Sequence, residues 1–146
     1  MSNIVPLISS GTAGPLGVLH LPRLWLKASL GAAGKLHSDY PAIGAGYDQM
    51  VLDGIGLDKG AFESFIADSR PSYTELEAWV LQQKGGSLDQ DAVDTLNAAI
   101  TGYIHEDATR AEILEAAGRT DDGTIKDAVN LNNLDDWAIF HGQELK

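Results

Sequence analysis

Short stretches of helical periodicity, each opened by a capping residue and closed by glycine, account for most of this chain after residue 20. Runs that alternate apolar and polar residues between tight turns, the pattern typical of β-strands, are missing. The length of 146 residues suits one domain. We therefore predict a single all-α domain spanning residues 1–146, with about six or seven short helices around one core. Residues 1–20 are expected to form an irregular N-terminal segment.

Helix-capping signals predict where the helices lie. Proline suits the first helical position, so a helix is expected from Pro22 to a stop at Gly34, and a shorter one from Tyr47 to Asp53 ends at Gly54. The expected starts of the later helices are Asp58, the capping boxes Ser72-Tyr-Thr-Glu75 and Ser87-Leu-Asp-Gln90, Asp107, and Asn133. The helix from Ser87 is the longest, because its apolar stripe continues to Ile104.

Composition excludes several classes of function. The chain has no cysteine, which rules out disulfides, thiolate metal sites and a cysteine nucleophile. Its net charge of −11 opposes binding to nucleic acid or to an anionic membrane surface. No apolar run is long enough to span a bilayer, and the start lacks the pattern of a secretory signal. We expect a cytoplasmic protein that binds neither nucleic acid nor membrane.

Two basic residues on the first helix form a candidate substrate-binding pair. Arg23 and Lys27 are four residues apart, so they share one helix face and repel each other. An anion between them would relieve this repulsion, since arginine binds carboxylates and phosphates through two parallel hydrogen bonds. The alternative interpretation is an ordinary solvated helix face.

The loop that follows this helix concentrates residues suited to proton transfer. His37 is the candidate general acid or base, and Asp39 or Asp48 would orient it or contact the substrate. Tyr40 and Tyr47 would donate hydrogen bonds to a developing oxyanion. The alternative is a structural role, because tyrosines near proline and glycine often cover a core with the hydroxyl group at the surface.

The sequence contains no motif typical of a metal site, a serine nucleophile or a dinucleotide-binding loop. The four histidines and many carboxylates show none of the common metal-ligand spacings, so we predict no metal site and no cofactor. The strained serine turn of hydrolases and the glycine pattern of dinucleotide-binding loops are also missing. Trp25, Trp79 and Trp137 lie on the apolar stripes of three different helices and are predicted to pack in the core.

Two functional hypotheses remain. The leading one is a helical protein that binds a small polar or anionic molecule near the first helix and acts on it without a metal, by hydrolysis, elimination or isomerisation. The alternative is a non-enzymatic protein–protein interaction module that uses its acidic helical surface. A homodimer is compatible with both, because small helical domains often bury a remaining apolar face against a second copy.

Two segments carry a resemblance to a known family. They are Leu21-Pro22-Arg23-Leu24-x-x-Lys27-Ala28 and the stretch from Gly46-Tyr47-Asp48-x-x-x-Leu52 to Leu57-Asp58-x-x-x-Phe62. With these, the chain resembles the bacterial family known as the domain of unknown function numbered 5069, over residues near 16 to 84 and around Asp136-Trp137. The resemblance implies a small helical domain and brings no activity, cofactor or catalytic residue with it.

Overall fold

The computed structural model describes residues 3–146, and within this range the fold is all-α, as predicted. Residues 3–20 contain no helix. Only isolated β-bridges, and no strand, occur in the part of the chain described. The helices are α1 (Leu21–Ala32), α2 (Tyr47–Gly54), α3 (Lys59–Ser69), α4 (Tyr73–Gln83), α5 (Gln90–Gly102), α6 (Asp107–Ala116) and α7 (Ala128–Phe140), followed by a π-helical turn at His141–Leu145.

One large apolar core holds most of the helices together. Helix α1 packs against α3, and α2 packs against α5. The largest fully buried apolar side chains of this core are Phe62, Leu21, Leu24, Leu52, Leu76 and Ile100. A smaller cluster of Ile113, Leu114 and Leu131 lies where α6 meets α7. Helix α7 therefore packs mainly with α6, and it meets α1 through the polar pair Arg23 and Asp136.

The helix starts predicted in the middle of the chain are confirmed. The Asp58 carboxylate accepts a hydrogen bond from the Ala61 amide and caps α3. Ser72 and Glu75 form both hydrogen bonds of the capping box at the start of α4. A capping side chain placed three residues before a free amide satisfies it locally, which is why these two starts can be recognised in sequence.

Three later helix starts differ from the prediction. Asp89, not Ser87, caps α5, because its carboxylate accepts from the Asp91 amide and the chain is still extended at residue 89. Asp107 is the first residue of α6 rather than its cap. Helix α7 begins at Ala128, well before Asn133, because the Asp127 carboxylate accepts from the Asn130 amide.

The predicted stripe of α5 is also too long by two residues. The helix ends at Gly102. Tyr103 is 43% exposed and Ile104 is 61% exposed, so neither is buried as the stripe predicted. The Tyr103 carbonyl accepts from the Ala128 amide, and the His105 amide donates to the Lys126 carbonyl. These bonds draw residues 103–105 out of the helix and fix them beside the start of α7.

The tryptophans follow the prediction in two cases of three. Trp25 and Trp79 are partly buried against the main core, and the Trp25 indole donates to the Pro71 carbonyl. Trp137 is 58% exposed, so its predicted place in the core is wrong. Helix α7 turns Leu131 inward and uses Asp136, the neighbour of Trp137, for a buried polar contact with α1.

Candidate functional site

A polar cavity of about 310 Å³ lies among α1, the loop before α2, residues 103–105 and α7. Helix α1 contributes Arg23 and Lys27 to its wall, and His20 precedes that helix. The remaining charged or polar wall residues are Asp39, Tyr40, Tyr47, Asp48, Tyr103, His105, Asn132 and Asp135. Segments distant in sequence thus bring an unusual number of titratable side chains to one place, which is the property expected of a functional site.

His20 is the most deeply buried of the polar wall residues that the sequence analysis did not select. It is 2% exposed and sits at the N-cap of α1 with a left-handed backbone, φ 70°. Its Nδ1 lies 2.9 Å from Ser10 Oγ and its Nε2 lies 2.6 Å from Asp48 Oδ1. Burial lowers the pKa of His20, although Asp48 opposes this shift. A neutral ring then donates from Nε2 to Asp48 and accepts the Ser10 hydroxyl at Nδ1.

Asp48 is the centre of the same buried network. Its second oxygen, Oδ2, accepts from Lys27 Nζ at 2.6 Å and from the Gly44 amide at 2.7 Å. Burial tends to raise the pKa of Asp48, but the His20 hydrogen bond and the Lys27 charge lower it to about 2. Asp48 is therefore ionised at neutral pH and joins α1, α2 and the loop between them.

A second network surrounds Arg23, which is 5% exposed. Its Nη1 and Nη2 donate to the two carboxylate oxygens of Asp136, at 2.5 and 3.0 Å. Nη1 also donates to the carbonyls of Pro6 and Ile8. The Tyr40 hydroxyl donates to Asp136 Oδ1 at 2.8 Å, and burial followed by the Asp136 charge raises the pKa of Tyr40. This network fastens the N-terminal segment and α7 to α1.

The basic pair thus differs from both interpretations offered by the sequence. Arg23 and Lys27 are buried, so the solvated helix face is wrong. Each cation is also matched by a carboxylate of the chain, Asp136 and Asp48 respectively. Because the two positive charges are compensated inside the protein, little net attraction is left for an anion between them.

The two tyrosines line the cavity but are already engaged. The Tyr47 hydroxyl donates to the Ile100 carbonyl at 2.5 Å, and burial, with the Asp127 charge second, raises the pKa of Tyr47 to about 12. A phenol has one hydrogen to donate, and the hydrogen of Tyr40 goes to Asp136. Neither hydroxyl has a free hydrogen for an oxyanion in this arrangement.

His37 lies outside the cavity wall, although its neighbour Asp39 is part of it. The His37 Nδ1 accepts from the Asp39 amide at 3.1 Å, and the ring packs edge-on against Tyr40 at 5.9 Å between centroids. The Asp39 carboxylate is 65% exposed and lies 4.0 Å from His37 Nδ1. The fold therefore brings Arg23, Lys27 and Asp48 together without His37.

Two further titratable groups of the wall come from segments that the sequence analysis did not select. His105 Nε2 lies 2.9 Å from Asn132 Oδ1, and Asp135 lies one turn farther along α7. Burial raises the pKa of Asp135, with the Asp136 charge as the next cause. Among the hydrogen bonds of residues 3–146, the Asp135 carboxylate takes part in none. The sequence pattern that could have indicated these residues is the polar pair Asn132-Asn133 followed by Asp135-Asp136, which interrupts the apolar stripe of α7.

Within the part of the chain that the structure describes, no group of three or more histidine and acidic side chains is placed to hold a metal ion. None of the described helices combines the length and apolarity that a membrane crossing needs.

Comparison with known proteins places the chain in a family. No curated protein matches it. A family model described as "Domain of unknown function (DUF5069)" matches residues 10–137, a range that includes His20, Arg23, Asp48, His105 and Asp136. The Asp48 network, the side chains of the Arg23 network and the walls of the polar cavity fall inside the matched range, whereas the Pro6 and Ile8 carbonyls that Arg23 contacts precede it. The chain belongs to the DUF5069 family.

Proposed function

We propose that this protein binds a small polar molecule in the cavity between α1 and α7 and transfers a proton on it without a metal. The observation that carries the proposal is that some side chains of the cavity wall are held in protein hydrogen bonds while other titratable ones are outside these networks. His20, Arg23, Tyr40, Tyr47 and Asp48 are engaged with other protein groups. The titratable side chains not used in these networks, those of Asp39, Tyr103, His105 and Asp135, line the same cavity.

His105 is the proton-transfer group in this proposal. An amide oxygen only accepts hydrogen bonds, so the His105 Nε2–H donates to Asn132 Oδ1. In a neutral ring the lone pair is then on Nδ1, which can take a proton from a ligand or from a water molecule. Asn132 thus fixes the ring and its tautomer. A base that takes a proton from one ligand atom and returns it to another supports isomerisation, and a base that activates water supports hydrolysis.

The two buried networks hold the cavity in shape around the ligand. The Asp48 network fixes the loop at Gly44, and the Arg23 network fixes α7 at Asp136. Side chains that are locked by hydrogen bonds keep a site in its binding geometry before a ligand arrives. The cavity volume of about 310 Å³ lies at the low end of ligand pockets, which are ~300–1,000 Å³, and suits a small molecule.

A compound screen with a blocked variant tests this function. Small amines, carboxylic acids, amino acids and polyols are added singly to ¹⁵N-labelled protein, and the Gly44 amide signal is followed by NMR. We expect at least one class to shift this signal, and Ala45→Trp, at the cavity rim, to abolish the shift. Ala78→Trp, at an exposed position of α4 away from the cavity, is the matched control. The proposal fails if no compound shifts the Gly44 signal.

The interaction module is the second candidate function, and one observation favours it. Nine acidic residues of the second half of the chain are exposed: Asp89, Asp91, Asp94, Glu106, Asp107, Glu112, Glu115, Asp121 and Asp122. A basic partner held by this surface would dissociate steeply with added salt, whereas a ligand in the cavity would respond little. Sedimentation velocity at low and high salt separates the two and also measures whether the chain forms a homodimer.

A further inference from the structure

The charges around the cavity do not cancel. Arg23 and Lys27 are each matched by one carboxylate. Asp39 and Asp135 also line the cavity. The Asp39 carboxylate lies 4.0 Å from His37 Nδ1, but that nitrogen accepts from the Asp39 amide and so has no proton for the carboxylate. Asp135 takes part in no salt bridge among residues 3–146. The site therefore carries an excess of negative charge, which attracts a cation and repels an anion.

The surroundings of Asp135 also favour a ligand with a positive charge. Its pKa is raised by burial and then by the charge of Asp136, with a further increase from Asp39, while Arg23 and His105 lower it. A positive group placed near Asp135 and Asp39 would relieve this crowding of carboxylates. An ammonium group supplies this charge and also donates hydrogen bonds to carboxylates.

An apolar groove lies beside the cavity, along α2 and α5. Its volume is about 630 Å³, and it shares Ala45, Gly46 and Tyr103 with the polar cavity. Met50 and Leu96 supply apolar surface, and small residues such as Ala92 and Ala99 leave it open. The shared residues place the groove directly beside the cavity, so a ligand with its polar end in the cavity has apolar surface next to it.

We propose that the ligand is a cationic amphiphile, with an ammonium or guanidinium group at Asp39 and Asp135 and an apolar part in the groove between α2 and α5. This inference rests on the proposed function, because it assigns the chemistry of the molecule bound in that cavity. The groove and the excess carboxylates are independent observations, and each specifies one half of the ligand.

A series of n-alkylamines tests both halves. Ethylamine, n-butylamine and n-octylamine are titrated into ¹⁵N-labelled protein, with n-octanoate as the probe of opposite charge. The Gly44 amide reports on the cavity, and the Thr95 amide reports on the groove. We expect ethylamine to shift Gly44 alone and octylamine to shift both. Affinity should rise up to about fourfold for each methylene that the groove buries, and octanoate should bind at least about tenfold more weakly than octylamine.

Three variants assign the two halves to their residues. Asp135→Asn is expected to weaken every amine by about tenfold and to keep the gain per methylene. Ala99→Trp fills the groove, so it should remove the gain with chain length and leave ethylamine unchanged. Ala98→Trp places the same side chain on the neighbouring exposed position, outside the groove, and should behave like the wild type.

The outcomes separate this inference from the function on which it rests. Octanoate binding as tightly as octylamine, or an affinity independent of chain length, overturns the inference. If neutral or anionic compounds shift Gly44 and amines do not, the inference fails and the proposed function stands. If no compound of any class shifts Gly44, both fail.

Discussion

His20 Nε2 and Asp48 Oδ1 lie 2.6 Å apart, in a buried hydrogen bond that joins the residue before α1 to the first turn of α2. The same carboxylate holds Lys27, so three segments depend on one side chain. This dependence makes Asp48 the most sensitive position of the network, and it can be measured without knowledge of the ligand.

Replacing Asp48 with asparagine is expected to destabilise the protein by about 3–5 kcal/mol, because it leaves the buried Lys27 ammonium without its counter-charge. Chemical denaturation followed by circular dichroism gives the free energy of unfolding. Asp53→Asn is the matched control on the same helix, since Asp53 is exposed and its carboxylate accepts a hydrogen bond from the uncharged Gln49 side chain. Its expected effect is within about 0.5 kcal/mol. Equal losses in the two variants would contradict the prediction.

The protonation of His20 predicts a loss of stability on acidification. Burial lowers its pKa in the folded protein below the unfolded value of about 6.5. The unfolded chain therefore takes up a proton first, and the free energy of unfolding decreases as the pH falls from about 6.5 towards the folded pKa. The lowered pKa of Asp48 extends this decrease to more acidic pH, from about 4 down to about 2.

Denaturation curves between pH 8 and pH 5 test the histidine contribution. His20→Gln, which has no group that titrates in this range, should show a shallower decrease than the wild type. His141→Gln, in the exposed C-terminal turn, is the control and should keep the wild-type slope. Parallel curves for wild type and His20→Gln would refute the assignment.

Replacing either of the adjacent acids Asp135 and Asp136 with asparagine should have different effects on the free energy of unfolding. Asp136→Asn leaves the buried Arg23 guanidinium unpaired and is expected to cost about 3–5 kcal/mol of unfolding free energy. Asp135→Asn removes a crowded carboxylate that accepts no hydrogen bond among the described residues, so stability should stay the same or increase slightly. Urea denaturation of the two variants measures both changes in the free energy of unfolding. A large loss for Asp135→Asn would show that this side chain has a structural role.

The hydrogen bond between His105 and Asn132 predicts one ring tautomer. Because Nε2–H donates to Asn132 Oδ1, the neutral ring should be protonated at Nε2. Long-range ¹H–¹⁵N NMR spectra distinguish the two ring nitrogens directly. Asn132→Ala should let the ring populate both tautomers, whereas Asn133→Ala, one position along the same helix, should leave the spectrum of His105 unchanged. A wild-type ring protonated at Nδ1 would contradict the geometry on which the proposed base depends.

The parts of the fold that were predictable from sequence are those governed by local rules. The capping box at Ser72 and the cap at Asp58 act on amides three residues away, so their signals lie within one turn. The start of α7 was placed wrongly because Asn133 resembles a cap, while the actual cap, Asp127, follows a segment without clear periodicity. Local rules do not rank two plausible caps when the choice depends on packing against α6.

The candidate site was predictable only in part, for the same reason. Arg23, Lys27 and Asp48 stood out as charges near the first helix, but their partners are 21 to 113 residues away. Sequence proximity favoured His37 as the histidine of the site, whereas the fold places His20 and His105 at the cavity. Their roles follow from contacts with Asp48 and Asn132, and such contacts leave no pattern in a single sequence.

The pairing of Arg23 with Asp136 also bears on the order in which this protein is made. The two residues are 113 positions apart, so a ribosome has released α1 long before it adds the carboxylate that Arg23 requires. Until then the guanidinium of a nascent chain stays hydrated, and the carbonyls of Pro6 and Ile8 have no fixed donor. During vectorial synthesis the polar cavity is consequently complete only after α7 has been made and has docked, and ligand can be captured only from that point.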